Sequence, residues 1–470
     1  MASLTVQFGK WLPDDDRNVN PGYPIMFMNS EAVPLDTIKN ALYTGAAWRG
    51  VPTLVISGSA LASAPRDGLT INLTDTDYTF AAASSHIYKI VGGLVTDVSG
   101  GSTFNTTAPW EFAQYGTCLI ATDGIDPVQA FDTGTPSGSF AALLGSPPLA
   151  KHVGVVRDFV VLGNIQGATV YPYRVQWSGI ANVESWPAPL TQAARAAQSG
   201  YQDNYAEYGQ VQAITQGEQF GLVFQESGIV RMDYVGGDTV FSFFTFERRR
   251  GLVTPKAWAQ IGNMVYFLSS DGFYATDGAQ VNPIGYGKIN RYFLANCPNL
   301  ATVRAAVDLK NQCIWWAYSS TGGANDSLII YNVQEDAWGQ ASAATVALFQ
   351  HLLTAQATPG SFDSTSTLGV FTGAQTDVEI GTKTFRLNND SRVLVESVQI
   401  LCDCNALAAV AALVSDDDGV VYGSFTARNS RTRKVPARAN GYAHAAKVQM
   451  TTPFTYAQGV RLGFQNLGRS

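Results

Sequence analysis

Few residues of this chain stand in the arrangements that enzymes use for catalysis. It has four histidines, none in the H-E-x-x-H spacing of a zinc protease: His86, His152, His351 and His444. It contains neither the G-x-S-x-G turn that presents a nucleophilic serine nor the G-x-x-x-x-G-K-[ST] loop that holds phosphates. Cys402 and Cys404 lack the second pair of ligands that a zinc site requires. We therefore expect a protein that is not an enzyme, with no metal and no cofactor.

Carbohydrate chemistry is the alternative that the sequence leaves open. Glycan hydrolysis needs two carboxylates about 5 to 10 Å apart, but the S-x-D-x-G-x-T-W box of sialidase-like propellers is missing. The acidic runs Asp14–Asp16 and Asp416–Asp418 lack the ligand pattern of a calcium loop and are interpreted as solvated turns. Five tryptophans are candidates for a sugar platform, although aromatics at strand positions are mostly core: Trp177, Trp186, Trp315, Trp316 and Trp338. The alternative function is an enzyme acting on glycans, or a carbohydrate-binding protein.

Two basic clusters are the candidates for contact with phosphates or an acidic partner. Arg248, Arg249 and Arg250 follow an aromatic strand, so neighbouring arginines would point to opposite faces of its end. The second cluster lies in a segment rich in Ser, Asn and Pro: Arg428, Arg431, Arg433, Lys434 and Arg438. We predict these eight residues as DNA-channel or partner contacts. The alternative is that the first cluster pairs with carboxylates and the second is an exposed hairpin.

Composition and charge restrict the class of protein. The 470 residues include 45 Gly and 20 Pro, and only 14% are charged, which is typical of a turn-rich, strand-rich protein with a large buried surface. The net charge of −7 gives no overall electrostatic attraction for nucleic acid. Because no long apolar run and no N-terminal secretion signal is present, we expect neither a membrane span nor secretion by the usual signal.

A unit of two short apolar runs joined by a turn recurs six times. The units begin 40 to 61 residues apart, at Tyr78, Cys118, Phe159, Phe220, Met264 and Cys313. A four-stranded propeller blade takes about 40 to 50 residues, so the longest gap, after Phe159, indicates an insertion. Closing the units into a ring buries faces and edges that an open row of sheets would expose. We predict an all-β fold, a six-bladed-like β-propeller with an additional small β-sandwich or platform.

The pattern divides the chain into three regions. Residues 1–45 are rich in Pro, Asp and Asn and are predicted to form an extended N-terminal arm. Residues 46–375 form the β-propeller, and residues 376–470 form the C-terminal β-sandwich or platform. The ring is expected to close by pairing Leu368–Phe371 with Thr53–Ile56.

Helical patterns are confined to short pieces. Leu35–Leu42 and Leu190–Gln198 have helical periodicity. Residues 342–367, which hold few large side chains, are interpreted as a loop or connecting segment.

Several separate stretches of the sequence match one known family when they are taken as a set. The longest runs from Gly145 to Gly163 and is followed by Arg174–Ser178. The other stretches are Ser85–Val98, Gly228–Tyr234, Arg250–Pro255, Asp271–Tyr274 with Asp277–Gly278, Lys288–Phe293, and Leu328–Asn332 with Trp338. Together they resemble the tail nozzle proteins of short-tailed (podovirus) phages, also called tail hub or tail tubular protein B-like proteins. The resemblance covers roughly residues 75–340 and weakens at both ends.

The resemblance implies a structural virion protein of which six copies form a ring at the distal end of the tail. Such a nozzle binds the tail adaptor ring, attaches tail fibres or spikes and in some cases a plug or needle, and forms the gated conduit for ejection of double-stranded DNA. It would be assembled in the host cytoplasm and reside in the virion tail. The weaker ends leave the individual partners open.

Overall fold

The computed structural model describes residues 2–15, 25–26, 32–73, 75–104, 108–353, 356–388, 391–404, 407–415 and 419–467. Nearly all regular structure is β, as predicted. The N-terminal strands are β1 (Ala2–Trp11), β2 (Ile25–Met26), β3 (Val33–Lys39), β4 (Ala41–Thr44) and β5 (Ala47–Gly50), followed by β6 (Thr53–Ala60).

Five four-stranded antiparallel sheets follow in chain order and form the first five blades of the propeller. The first blade consists of β7 (Pro65–Leu73), β8 (Thr76–Ala83), β9 (Ile87–Val91) and β10 (Leu94–Asp97), and the second of β11 (Glu111–Tyr115), β12 (Cys118–Thr122), β13 (Gln129–Asp132) and β14 (Ala141–Ala142). The third blade consists of β15 (Ala150–Val156), β16 (Phe159–Ile165), β17 (Tyr171–Trp177) and β18 (Gly200–Asp203), and the fourth of β19 (Val211–Ile214), β20 (Phe220–Gln225), β21 (Ile229–Gly236) and β22 (Val240–Glu247). The fifth blade consists of β23 (Trp258–Ile261), β24 (Met264–Ser269), β25 (Gly272–Thr276) and β26 (Val281–Pro283).

Two short α-helices interrupt the described strands. Helix α1 (Gln192–Ala197) lies in the long connection between β17 and β18, which is the insertion predicted after Phe159. It begins where Thr191 accepts a hydrogen bond from the Ala194 N–H and ends at Gln198 in the left-handed region, so the helix predicted over Leu190–Gln198 is confirmed. Helix α2 (Asn290–Asn296) follows the fifth blade.

A sixth blade closes the ring with strands from two distant parts of the chain. Its strands are β31 (Ala347–Leu353), β32 (Gln356–Phe362) and β33 (Thr367–Gly373), with β6 at the outer edge. β33 pairs antiparallel with β6, so that Phe371 faces Leu54 and Val370 faces Val55, which confirms the predicted closure. The interpretation of residues 342–367 as a connecting segment was wrong, because small residues such as Gly360 fit directly against His351 within this blade.

The predicted unit at Cys313 belongs to a different sheet from the six separate blades. It lies in the meander β27 (Arg304–Asp308), β28 (Cys313–Tyr318), β29 (Asn325–Asn332) and β30 (Ala337–Thr345). The first strand of this meander lies beside β23 and β31, between the fifth and sixth blades. At its other edge β30 pairs with β4, where Gln340 faces Ala41, so the meander joins the propeller to the additional sheet.

The additional sheet combines both ends of the chain. Its C-terminal strands are β34 (Val378–Thr382), β35 (Phe385–Arg386), β36 (Val393–Cys402), β37 (Leu407–Ser415), β38 (Gly419–Val421), β39 (Thr426–Ala427), β40 (Val435–Gly441), β41 (Ala443–Met450) and β42 (Ala457–Asn466). Successive pairings run β40, β36, β42, β1, β3, β34, β41 and β37. The run curls so that β37 lies beside β40.

The N-terminal segment therefore differs from the predicted extended arm. β1 and β3 are central strands of the additional sheet, and Val6, Phe8 and Trp11 are buried in its core. Residues Leu35–Leu42 are strand except for Asn40, instead of the predicted helix, because Val33, Leu35 and Ile38 of β3 are buried against this core.

Asp14 also differs from the predicted solvated turn. It is buried, and its carboxylate accepts hydrogen bonds from the backbone N–H groups of Arg291 (2.7 Å) and Tyr292 (2.8 Å) at the start of α2. Asp16 and Asp416–Asp418 lie outside the described residues.

Apolar clusters fill the space between neighbouring blades. Phe80 of the first blade packs on Phe131 of the second, with ring centroids 4.9 Å apart, and Phe224 of the fourth packs on Phe267 of the fifth at 5.1 Å. Strand β16 is buried along its whole length because blades cover both of its faces. The continuous apolar runs of the sequence thus mark strands sandwiched between blades.

Substitution of Phe371 tests how much ring closure contributes to the free energy of unfolding. Its side chain is buried and its ring centroid lies 5.0 Å from that of Trp315 in the meander. We expect Phe371→Ala to lower the free energy of unfolding by about 3 to 5 kcal/mol, measured by urea denaturation. Phe244→Ala, at a side chain that is 63% exposed, is the control and should change it by under about 0.5 kcal/mol. Equal effects of the two substitutions would contradict the closure described here.

His351 makes the same closure sensitive to acid. Its Nδ1 lies 2.8 Å from the Thr70 hydroxyl oxygen, joining the sixth blade to the first, and burial lowers the pKa of His351 from 6.5 to about 4. Between pH 6.5 and pH 4, His351 is protonated in the unfolded chain but not in the folded chain. The free energy of unfolding should therefore fall by about 3 kcal/mol from pH 6.5 to pH 4 through this group, and be insensitive to it above pH 6.5. Urea denaturation of His351→Gln at a series of pH values should show a correspondingly smaller fall in the free energy of unfolding. If the pH dependence is the same as that of the unmodified chain, the assignment to His351 is refuted.

Candidate functional site

Charged side chains meet on the axis of the propeller, where its innermost strands converge. Asp67, Glu111 and His152 come from the first strands of the first three blades, and Arg304 begins the first strand of the meander. Lys256 lies in the connection that leads into β23. We call these five residues the axial cluster.

Lys256 links the two carboxylates of the axial cluster. Its Nζ lies 2.6 Å from Oδ2 of Asp67 and 3.9 Å from Oε1 of Glu111. Nη1 of Arg304 lies 3.7 Å from Oδ1 of Asp67, and Nδ1 of His152 lies 3.0 Å from Oε1 of Glu111. Because the cluster draws on blades from different parts of the ring, it ties together strands that are far apart in the sequence.

Burial and neighbouring charges oppose each other in the axial cluster. Burial by itself raises the pKa of Glu111, but the charges of His152 and Lys256 and the hydrogen bond from His152 outweigh it, so that the pKa lies below its usual value. Burial lowers the pKa of Arg304, and Asp67 opposes that effect. The pKa of Glu111 is therefore shifted away from the raised value that the proton-donating carboxyl group of a glycosidase has.

The axial cluster divides the channel into two cavities. The larger, of about 580 Å³, is lined by residues along the inner strands from Asp67 to Asn72 and onward around the ring. The smaller, of about 360 Å³, is lined by His152, Lys151 and Gln210 among others, and Glu111 borders both. A channel crossed by charged groups 2.6 to 3.9 Å apart has no room for a nucleic-acid duplex.

The first predicted basic cluster lies at the end of β22. Arg248 and Arg249 are exposed, and the backbone N–H groups of all three arginines donate to Oε1 of Glu247. Arg250 is half-buried; its Nε donates to Oδ2 of Asp271 at 3.2 Å. Arg250 is thus paired within the chain, whereas Arg248 and Arg249 extend from its surface.

The second predicted basic cluster surrounds the turn between β39 and β40. Arg428 is half-buried, and the other four residues are exposed: Arg431, Arg433, Lys434 and Arg438. The Oδ1 atom of Asn429 orders the turn by accepting hydrogen bonds from the N–H groups of Arg431 and Thr432. Over the described part of the chain, no contact joins the two basic clusters. Their role in binding DNA or a partner stays a prediction.

The five tryptophans considered as a sugar platform are buried. Their exposed fractions range from 0 to 7%, and they pack inside and between sheets: Trp177, Trp186, Trp315, Trp316 and Trp338. The favoured interpretation, that these aromatics belong to the core, is confirmed, because each indole fills the core of its blade or of the meander.

Sequence reasoning missed the axial cluster. Asp67 and Glu111 are 44 residues apart, and Glu111 and His152 are 41 residues apart, which is the spacing of the propeller units. A polar or charged side chain recurring at the start of successive units was the available signal. The pairings themselves become visible only when the ring is closed.

Within the described residues, no three His, Cys, Asp or Glu side chains are grouped so that they could hold a metal ion. No helix in the same residues has the length and apolar character needed to cross a membrane.

Lys256 tests the axial cluster. Removing it by Lys256→Met leaves Asp67 and Glu111 without the cation between them, and we expect the free energy of unfolding to fall by about 3 to 5 kcal/mol in urea denaturation at pH 7. The control is Lys39→Met, which breaks an ion pair with Asp377 whose two side chains are each 46% exposed, and which should cost under about 1 kcal/mol. If both variants lose the same small amount, the cluster does not hold the channel together.

Comparisons with known proteins identify no family for this chain. No family model matches the chain, and a search of curated proteins found no significant similarity. Among solved structures, a chain of the "Crystal Structure of Mitotic Checkpoint Complex" aligns over 75% of this chain and 100% of its own length, with 9% sequence identity and a TM-score of 0.41. Similarity at this level carries no functional argument.

Proposed function

We propose that this chain is a structural virion protein that forms the hexameric nozzle at the distal end of a short phage tail. In this role it provides a gated conduit for genome ejection and the attachment point for the adaptor ring and for fibres, spikes or a plug. The observation that carries the proposal is that stretches resembling tail nozzle proteins, which are separate in the sequence, contact one another in the fold.

The first of these contacts joins the stretches Arg250–Pro255 and Asp271–Tyr274. Oδ2 of Asp271 accepts hydrogen bonds from Nε of Arg250 (3.2 Å) and from the hydroxyl of Tyr274 (2.8 Å). The guanidinium carbon of Arg250 also lies 4.9 Å from the centroid of the Tyr274 ring. The two stretches therefore form one polar unit at the junction of the fourth and fifth blades.

The second contact adds the stretch Lys288–Phe293. Oδ1 of Asn290 accepts a hydrogen bond from the Phe273 N–H, and its Nδ2 donates to the carbonyl of Asp271. A Cβ atom at Gly272 would lie 1.9 Å from Asn290 Nδ2, and the φ of this residue is +138°, so the Asp-Gly pair requires glycine.

Aromatic packing joins the last of these stretches, Leu328–Asn332 with Trp338, to the others. The Phe273 ring centroid lies 4.7 Å from that of Phe293 and 4.9 Å from that of Trp338. Trp338 in turn lies 4.8 Å from Tyr331. Residues from 250 to 338 that carry the resemblance thus share one core. This is expected of a set of residues that specifies a single fold, and it is the support for transferring the family role.

The closed axis bears on where such a conduit would lie. Because the axial cluster blocks the channel within one propeller, double-stranded DNA would have to pass between several copies of the chain. A ring of six copies meets this requirement. With a net charge of −7 on each copy, such a hole would repel DNA instead of retaining it, which favours sliding.

The oligomeric state of the purified full chain tests the proposal. We expect native mass spectrometry to detect a hexamer, and negative-stain electron microscopy to show sixfold rings with a central hole. Measurements over a range of protein concentrations provide the control for nonspecific association, since a closed ring has a fixed number of copies. A chain that stays monomeric throughout, or that forms open polymers without a hole, contradicts the nozzle.

A further inference from the structure

The larger axial cavity opens to solvent through a mouth of amide side chains. Each comes from a different inner strand or its end: Asn72, Gln114, Gln216, Gln260 and Gln350. Four of them are exposed and Gln260 is half-buried. Each amide offers both donors and acceptors without a net charge.

The amides keep free hydrogen-bonding capacity. The recorded bonds of Asn72, Gln114 and Gln260 use only their NH2 groups, which donate to Asp77 and to nearby backbone carbonyls. For Gln216 and Gln350, the described residues supply no side-chain partner. The mouth can therefore accept and donate hydrogen bonds to a ligand.

The walls of the cavity are aromatic and apolar. Phe112, Trp258 and Phe349 line it together with aliphatic side chains such as Ile214 and Leu348. Trp258 and Phe112 are only half-buried, so part of the surface of each residue is accessible. Aromatic faces beside polar groups suit a ligand with both C–H surfaces and hydroxyl groups.

The floor of the cavity carries three members of the axial cluster, Asp67, Glu111 and Lys256. Each already has a partner of opposite charge: Lys256 lies 2.6 Å from Asp67 and 3.9 Å from Glu111, and Arg304 lies 3.7 Å from Asp67. A charged ligand would have to compete with one of these pairs, which favours an uncharged molecule.

We propose that this cavity is a binding site for an uncharged, hydroxyl-rich ligand of the saccharide class. Along β7 the lining extends from Asp67 to Asn72, which corresponds to about 16 Å at the rise of a β-strand. The volume of about 580 Å³ lies within the range of ligand pockets. The amides bind hydroxyl groups, and the aromatic rings pack on the apolar faces of the sugar rings.

This site does not depend on the nozzle proposal. It rests on the cavity of a single propeller, so the chain can bind saccharide whether or not it forms a ring. A hexamer without saccharide binding would overturn only the present inference.

Binding to an oligosaccharide array tests the site. The full chain is applied to neutral, acidic and amine-bearing oligosaccharides, and the affinity for the best neutral probe is then measured by calorimetry. We expect retention of neutral probes. The double variant Gln216→Ala and Gln350→Ala should weaken binding about tenfold or more, because it removes two hydrogen-bonding groups at the mouth.

The matched control is Gln202→Ala, an exposed amide on the outer strand β18 that lies away from the channel. It should bind as the unmodified chain does, and thermal unfolding should show all variants folded. Trp258→Phe, which keeps an aromatic ring, should bind more weakly than the unmodified chain but more strongly than Trp258→Ala. Retention of acidic or amine-bearing probes alone, no retention at all, or equal binding by the double variant and Gln202→Ala would overturn the proposal.

Discussion

Neutralisation of charge on the propeller axis is the constraint on which the rest of the structure depends. Asp67 and Glu111 are buried beside Lys256 and Arg304, and removing the Lys256 cation would take a partner of opposite charge from both carboxylates. The same contacts link the first, second and third blades to the meander and to the approach to the fifth. They also close the channel. The axis therefore has a mouth suited to a small uncharged ligand and a floor that a duplex cannot cross.

Ring closure and the additional sheet depend on the two ends of the chain in a similar way. β6 completes the sixth blade from the N-terminal side, while β1 and β3 stand between strands that come from the last hundred residues. Asp14 reaches back to begin α2 beside the fifth blade. The propeller and the additional sheet are consequently parts of one core, and the meander β27–β30 is shared between them. A substitution in the strands at either end of the chain should therefore change the stability of the propeller ring.

The parts of the fold that could be predicted are those that depend on local sequence patterns. Apolar runs such as Phe159–Leu162 and turns such as Asp271–Gly272 marked strands and hairpins, and the need to cover edges indicated a ring closed by Leu368–Phe371. What failed depended on distant partners. Val6, Phe8 and Trp11 are buried only because β42 and β3 lie on either side, and residues 342–367 looked like a connection because a blade centre needs small side chains. The axial cluster was missed for the same reason: its members lie one or more blades apart in the sequence and meet only in three dimensions.

The central claim is that DNA passes between copies of the chain and never through the axis of one propeller. A high-resolution electron cryomicroscopy reconstruction of the oligomer with a short DNA duplex tests this most directly. The account predicts duplex density in the hole between subunits, with Lys256 still bridging Asp67 and Glu111 in each copy. Duplex density along the axis of a propeller, or an axial cluster opened by DNA, would contradict it.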